Sequence, residues 1–225
     1  MAQARGDPAG TWRRQRLARA RLYLCVDRRA AQGDLESFLD EVLGAGVDVV
    51  QLRDKMASQP QLRAAAEVFR QVARCHGALF IVNDDPDLAV QVGADGVHVG
   101  QDDLPPSQAR AVVGTGRLVG RSTHTLAQID RALAEDCDYF AVGPVHATPT
   151  KEGRPGIGLA PLRHAAAVAG DRPWFVTGAM STVTAPEVLA TGASRLVVVR
   201  AITQAEDPAA AARALASLLR GGPPT

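Results

Sequence analysis

Eight times along this chain, a short run rich in β-branched and aromatic residues gives way to a longer stretch rich in Ala and Leu. The extended runs are 21–27 (RLYLCVD), 47–53 (VDVVQLR), 78–84 (ALFIVND), 96–100 (GVHVG), 118–122 (LVGRS), 139–144 (YFAVGP), 173–178 (PWFVTG) and 195–201 (RLVVVRA). Helical stretches lie near 34–44, 60–76, 87–92, 106–113, 125–136, 159–169, 184–191 and 207–220. Strand–helix alternation of this kind builds parallel sheets, and eight units in 225 residues predict an α/β fold, a single (β/α)8 TIM barrel. A doubly wound open sheet is the rival, weakened because no Gly-rich dinucleotide turn follows the first run. The motifs GAGVD, GAD and TGAS each precede a strand, where a glycine can take the left-handed conformation that stops a helix. No Ser/Pro-rich linker divides the chain, so 21–220 reads as one domain.

Segment 1–20 differs from the rest. Arg5, Arg13, Arg14, Arg16 and Arg19, with Arg21 just beyond, make it strongly basic. The favoured expectation is a frayed tail followed by a short amphipathic helix, with a targeting peptide or an RNA-binding arm as alternatives. Over the whole chain the formal net charge is +1, so a basic nucleic-acid footprint is absent. No run approaches the roughly 20 apolar residues of a membrane span, and no apolar leader is visible. Cys25, Cys75 and Cys137 are odd in number and scattered, which fits neither a disulfide framework nor a metal site. A reduced, cytoplasmic protein is expected.

Polar residues collect where the strands end. Gln51, Arg53 and Lys55 close the second strand at a spacing of two, the spacing that points side chains one way while Leu52 points the other. Asn83, Asp84 and Asp85 close the third. His98, Gln101, Asp102 and Asp103 follow the fourth, and Ser122, Thr123 and His124 the fifth. In a barrel these ends open on one face, where active sites sit. Solvated strand ends are the bland alternative, less favoured because the pattern recurs at five strands. Arg53, Lys55 and Lys151 are cations, while Asp84 and Asp103 are carboxylates able to hold a hard divalent ion such as Mg²⁺. Together they suggest a pyrophosphate ligand. Asp85, just before Pro86, is expected to cap the next helix, and Asp102 is read the same way.

The loop GPVHATPTKEG adds two hydroxyls two residues apart, Thr148 and Thr150, beside Lys151. Hydroxyls and exposed amides there can hold a phosphate or carboxylate. Gly178 and Arg200 close strands seven and eight, whose loops often form a barrel's phosphate site, so a second, monophosphate ligand is expected.

In order and with compatible gaps, VQLRDK, FIVNDD, DGVHVGQDDLP, GRSTH, DYFAVGPVHATPTK and VVVRAI resemble the thiamine-phosphate synthase (thiamine-phosphate pyrophosphorylase) family from about Arg21 to Ile202. The resemblance implies a (β/α)8 barrel that joins 4-amino-2-methyl-5-hydroxymethylpyrimidine diphosphate to a thiazole phosphate, releasing pyrophosphate. It implies that Gln51, Arg53, Lys55, Asn83, Ser122 and Lys151 bind the pyrimidine diphosphate, with Arg53, Lys55 and Lys151 catalytic. It implies one Mg²⁺ on Asp84 and Asp103, and a thiazole-phosphate site at Thr148, Thr150, Gly178, Ala179, Val199 and Arg200. The implied partners are two phosphorylated small molecules, without nucleic acid or membrane, and homo-oligomerisation is left open. Proximity and cations then carry the chemistry with no Ser/His/Asp or Cys/His arrangement, and His98 and His124 are expected to pack or hydrogen-bond.

Two residues depart from the family pattern. Ala179 replaces the second of two glycines, a penalty if that position needs a positive φ. Arg200 stands where many relatives carry Ser, either as an added grip on phosphate or as a salt-bridged rim residue. Two related rivals are a thiazole tautomerase, which needs no diphosphate set, and a non-catalytic regulatory barrel. An unrelated sugar-phosphate epimerase barrel would not explain TPTK together with QLRDK.

Overall fold

The computed structural model describes residues 7–148 and 155–221. Eight parallel strands close a barrel in chain order: β1 Leu22–Val26, β2 Val49–Leu52, β3 Leu79–Asn83, β4 Gly96–Val99, β5 Leu118–Thr123, β6 Tyr139–Val142, β7 Trp174–Val176 and β8 Leu196–Val198. The seam is β8 on β1, with Tyr23 opposite Val197. Ten helices fill the described residues: α1 Pro8–Arg19, α2 Leu35–Gly44, α3 Gln59–Cys75, α4 Pro86–Gln91, α5 Pro106–Val113, α6 Leu126–Ala134, α7 Ala160–Val168, α8 Ala185–Leu189, α9 Arg200–Thr203 and α10 Pro208–Leu219. None of them is long and apolar enough to cross a membrane.

The predicted eighth strand, 195–201, is too long. The β-branched run continues to Val199, but Ile202 N and Thr203 N both donate to Val199 O and turn the chain into α9. Asp85 caps α4 as expected, accepting from Leu88 N at 2.8 Å. Asp102 does not cap α5, whose N-cap position is held by Pro105. With proline at both 105 and 106, that helix starts with a preset φ and one fewer orphan N–H to satisfy.

Period-two alternation splits the barrel's apolar residues into two cores. Leu22, Leu24 and Val26 face the helices, within the large outer cluster. Tyr23, Val49, Leu79, Ile81, Leu118, Tyr139 and Phe175 fill the interior, joined from below by Leu17 of α1 and by Ala20. Three arginines of α1 reach the barrel. Arg13 Nε donates to Asp95 Oδ1 at 2.8 Å, Arg14 Nε to Asp138 Oδ1 at 3.1 Å, and Arg16 Nη2 to Asp48 Oδ1 at 3.4 Å.

Those three acids occupy one repeated position, the residue before an even-numbered strand. Each also accepts from a backbone N–H within one residue of the start of the odd strand beside it. Asp48 Oδ2 takes Arg21 N and Leu22 N, Asp95 Oδ2 takes Phe80 N, and Asp138 Oδ2 takes Val119 N. At the fourth such position Arg195 reverses the sign and donates to the carbonyls of Ala18 and Ala20 at the end of α1. The GAGVD and GAD motifs therefore supply carboxylates that knit the barrel floor to its plug. Asp95→Ala leaves Phe80 N–H without its acceptor and Arg13 with only its bond to Gly116 O, and is expected to destabilise the fold by about 2–3 kcal/mol. A lower urea midpoint with an unchanged m-value would show it.

Candidate active site

The C-terminal ends of the strands surround a cavity of about 250 Å³. Its lining includes Gln51, Arg53, Asn83, Ser122, Thr148, Gly178, Ala179, Val199 and Arg200, so nine of the predicted site residues come together there. Gln51 points inward because Leu52 lies in the helix-facing layer. Thr150 and Lys151 lie outside the described residues.

Lys55, Asp84 and Asp103 are not part of the cavity lining. β2 ends at Leu52, so the expected two-residue alternation has run out before Lys55. Lys55 Nζ instead stands 3.7 Å from Asp84 Oδ2. Asp84 sits at the turn out of β3 with φ 63°, a left-handed conformation that Asp tolerates better than most residues. Its N–H donates to His98 O at 2.8 Å. Across from it, Asp103 Oδ2 accepts from Gly100 N at 2.7 Å. A Cβ on Gly100 would lie 2.8 Å from the same oxygen, so the glycine makes room for this carboxylate.

Burial, then the facing Asp103 carboxylate, push the Asp84 pKa from 3.8 up to about 6, against the opposing pull of Lys55 and Arg53. Two hard oxygen donors that repel each other fit a small divalent cation. No cluster of three or more His, Cys, Asp or Glu exists among the described residues to suit a softer metal. Two carboxylates, completed by phosphate oxygens and water, are the usual protein share of a Mg²⁺ site.

The cavity floor holds a polar chain that sequence reasoning missed. Gln51 Nε2 donates to Tyr23 Oη at 2.7 Å, and Tyr23 Oη lies 3.1 Å from Tyr139 Oη. Tyr139 Oη is 3.2 Å from His98 Nδ1, and His98 Nε2 is 2.9 Å from Ser122 Oγ. The two tyrosines look like ordinary core aromatics in sequence. The available signal was their parity, since each shares the inward face of its strand with a residue that lines the cavity, Cys25 for Tyr23 and Ala141 for Tyr139. His98 hydrogen-bonds as expected, and His124 Nδ1 meets Gly143 O.

The other wall is shaped by backbone. Val145 N donates to Thr177 O at 2.9 Å, docking the loop after β6 on the exit of β7. A Cβ on Gly178 would fall 2.4 Å from Val145 N, so no side chain fits there. Arg200 opens α9, is exposed, and makes no ion pair with any described residue. A short extra helix beside the loops after strands seven and eight is a frequent phosphate-site arrangement in barrels.

Residues 22–202 match the family model described as thiamine monophosphate synthase. The chain belongs to the thiamine monophosphate synthase family. A thiamine-phosphate synthase of Acidothermus cellulolyticus is 52% identical over 204 residues, covering 90% of this chain and 96% of the relative. One from Thermobifida fusca is 53% identical over 204 residues, covering 90% and 93%. A solved thiamine phosphate pyrophosphorylase from Pyrococcus furiosus superposes with a TM-score of 0.82 at 29% identity, covering 92% of this chain and 98% of that one. The chain is thus an enzyme of thiamine biosynthesis, a transferase.

The departure at Ala179 carries a cost, because φ there is 54°. Ala179→Gly removes the Cβ clash of the left-handed conformation, less the extra entropy of an unfolded glycine, and is expected to stabilise by about 0.5–1 kcal/mol. Thermal unfolding of the two proteins tests it. Asp84 gives a pH signature. Its folded-state pKa lies above the unfolded value, so its charge destabilises the fold fully above about pH 6 and not at all below 3.8. With metal chelated, Asp84→Asn is expected to be more stable than wild type at pH 8 by about 1–2 kcal/mol, after discounting for solvent screening. The advantage should shrink as the pH falls toward 4, followed by urea denaturation at each pH.

Proposed function

We propose that this chain joins 4-amino-2-methyl-5-hydroxymethylpyrimidine diphosphate to a phosphorylated thiazole, forming thiamine phosphate and releasing pyrophosphate. The observation that carries this reading is the pairing of Lys55 with Asp84, itself facing Asp103, in the same barrel mouth as Arg53. Cations and facing carboxylates in one mouth suit a diphosphate with a divalent ion, which a tautomerase acting without a diphosphate would not need.

On this reading Gln51, Asn83 and Ser122 bind the pyrimidine diphosphate with Arg53, Lys55 and Lys151. Asp84 and Asp103 would hold one Mg²⁺, which when bound supplies charge neutralisation to the pyrophosphate. The bond from the pyrimidine methylene carbon to the bridging oxygen breaks, and its electron pair leaves on pyrophosphate. Arg53 forks onto the departing oxygens, while Lys55 acts as a point charge. The electron-rich aminopyrimidine delocalises the cation left behind. The thiazole ring nitrogen, held by Thr148, Thr150, Gly178, Ala179, Val199 and Arg200, donates its lone pair to that carbon. Proximity replaces a protein nucleophile.

Pyrophosphate release is expected only when the pyrimidine diphosphate, the thiazole phosphate and Mg²⁺ are all present. A continuous coupled pyrophosphate assay, omitting each component in turn, measures this. Release without the thiazole phosphate, or thiazole isomerisation with no release, would contradict the reading.

A further inference from the structure

We propose that the buried chain Gln51–Tyr23–Tyr139–His98–Ser122 is a one-way hydrogen-bond relay whose direction makes Ser122 a donor toward the bound pyrimidine. The proposal deepens the function above, since it rests on Gln51 and Ser122 contacting that substrate. The direction follows from one end. The Nε2 of Gln51 can only donate, and it donates to Tyr23 Oη at 2.7 Å. The Oε1 of the same carboxamide accepts from Cys25 Sγ at 3.2 Å, which sets the amide's orientation.

Tyr23 Oη has one proton, and among the described residues its acceptor is Tyr139 Oη at 3.1 Å. Tyr139 therefore accepts there and sends its own proton to His98 Nδ1 at 3.2 Å. A ring nitrogen that accepts carries no hydrogen, so His98 is neutral with its proton on Nε2. That N–H donates to Ser122 Oγ at 2.9 Å. Ser122 lines the cavity with its own O–H still to give. Both phenols sit wholly in the barrel interior, where burial pushes their pKa values upward, so they remain donors at working pH.

The space around the relay is built for it. A Cβ on Gly120 would lie 2.5 Å from Tyr139 Oη and 2.6 Å from His98 Nδ1, so only glycine allows that contact. Tyr23 and Tyr139 also pack edge-on against Phe175, which holds both rings in place. The direction has a chemical consequence. The Ser122–His98 contact resembles a nucleophile with its base, but a histidine that donates to the serine cannot take its proton. Tyr23, Tyr139 and His98 are positioning residues. They leave the pocket floor with a donor at Ser122 and a carboxamide edge at Gln51, a pattern that reads a heteroaromatic ring edge with an acceptor nitrogen.

Long-range proton–nitrogen spectra of the full-length protein test the direction, with the His98 signals assigned by their loss in His98→Gln. The expected result is a pyridine-type Nδ1 and a pyrrole-type Nε2 in wild type, changed in Tyr139→Phe. A protonated Nδ1 in wild type would overturn the relay, whatever the substrate. Kinetics test its use. Tyr139→Phe keeps the ring packing and is expected to raise KM for the pyrimidine diphosphate about tenfold, leaving KM for the thiazole phosphate unchanged. Equal or unchanged KM values in a folded Tyr139→Phe would refute the positioning role. If that variant does not fold, Tyr23→Phe breaks the relay one step earlier and faces the same criteria. Should Ser122→Ala and Gln51→Ala also leave the pyrimidine diphosphate KM unchanged, the substrate reading fails, while the spectra still decide the direction.

Discussion

The seam between β8 and β1 is the contact on which the rest depends. Leu22, Tyr23 and Leu24 pair in register with Leu196, Val197 and Val198, and this short ladder turns an open sheet into a ring. In an open sheet the ends of β2 and β8 would lie at a distance. In the ring, Gln51, Asn83, Ser122 and Arg200 come from four different units and line one cavity. Closure also abolishes the exposed strand edges that would otherwise invite pairing with another chain.

The barrel separates two kinds of polar chemistry along its axis. At the floor, Asp48, Asp95 and Asp138 each serve a backbone N–H and an arginine of α1, so their charges are matched locally and hold structure. At the mouth, Asp84 and Asp103 face each other, and Lys55 is the nearest cation in ion-pair contact. Matched charges stabilise a fold, whereas mismatched ones are what a charged ligand can complete. The left-handed backbone at Asp84 and Ala179 falls at the same end. Local strain at a binding face is common where the surrounding structure over-determines the geometry.

Much of this was legible in sequence, because period-two alternation and strand–helix rhythm are local properties. The eight strands, the inward Gln51 against the outward Leu52, and the cap at Asp85 all follow from neighbours in the chain. What was not legible depends on non-local contacts. Tyr23 and Tyr139 are 116 residues apart, and their shared hydrogen bond exists only because β1 and β6 face each other across the interior. Arg200 and Ala201, the first half of α9, read as strand in sequence because Val197, Val198 and Val199 favour extended structure, and only the turn at Val199 overrides them. Arg13, Arg14 and Arg16 of α1 looked available for a partner, since the acids that meet them lie 32 to 124 residues away. The positive φ of Ala179 could be framed only as a condition until the backbone was seen.

The central claim is that the facing carboxylates and the cations act together on one diphosphate. Calorimetric titration of pyrophosphate into the protein, with and without Mg²⁺, measures that coupling directly. The account predicts that Mg²⁺ tightens pyrophosphate binding, that pyrophosphate tightens Mg²⁺ binding by the same factor, and that Asp103→Asn abolishes both effects. Pyrophosphate binding of equal strength with the metal chelated, or undiminished coupling in Asp103→Asn, would contradict it.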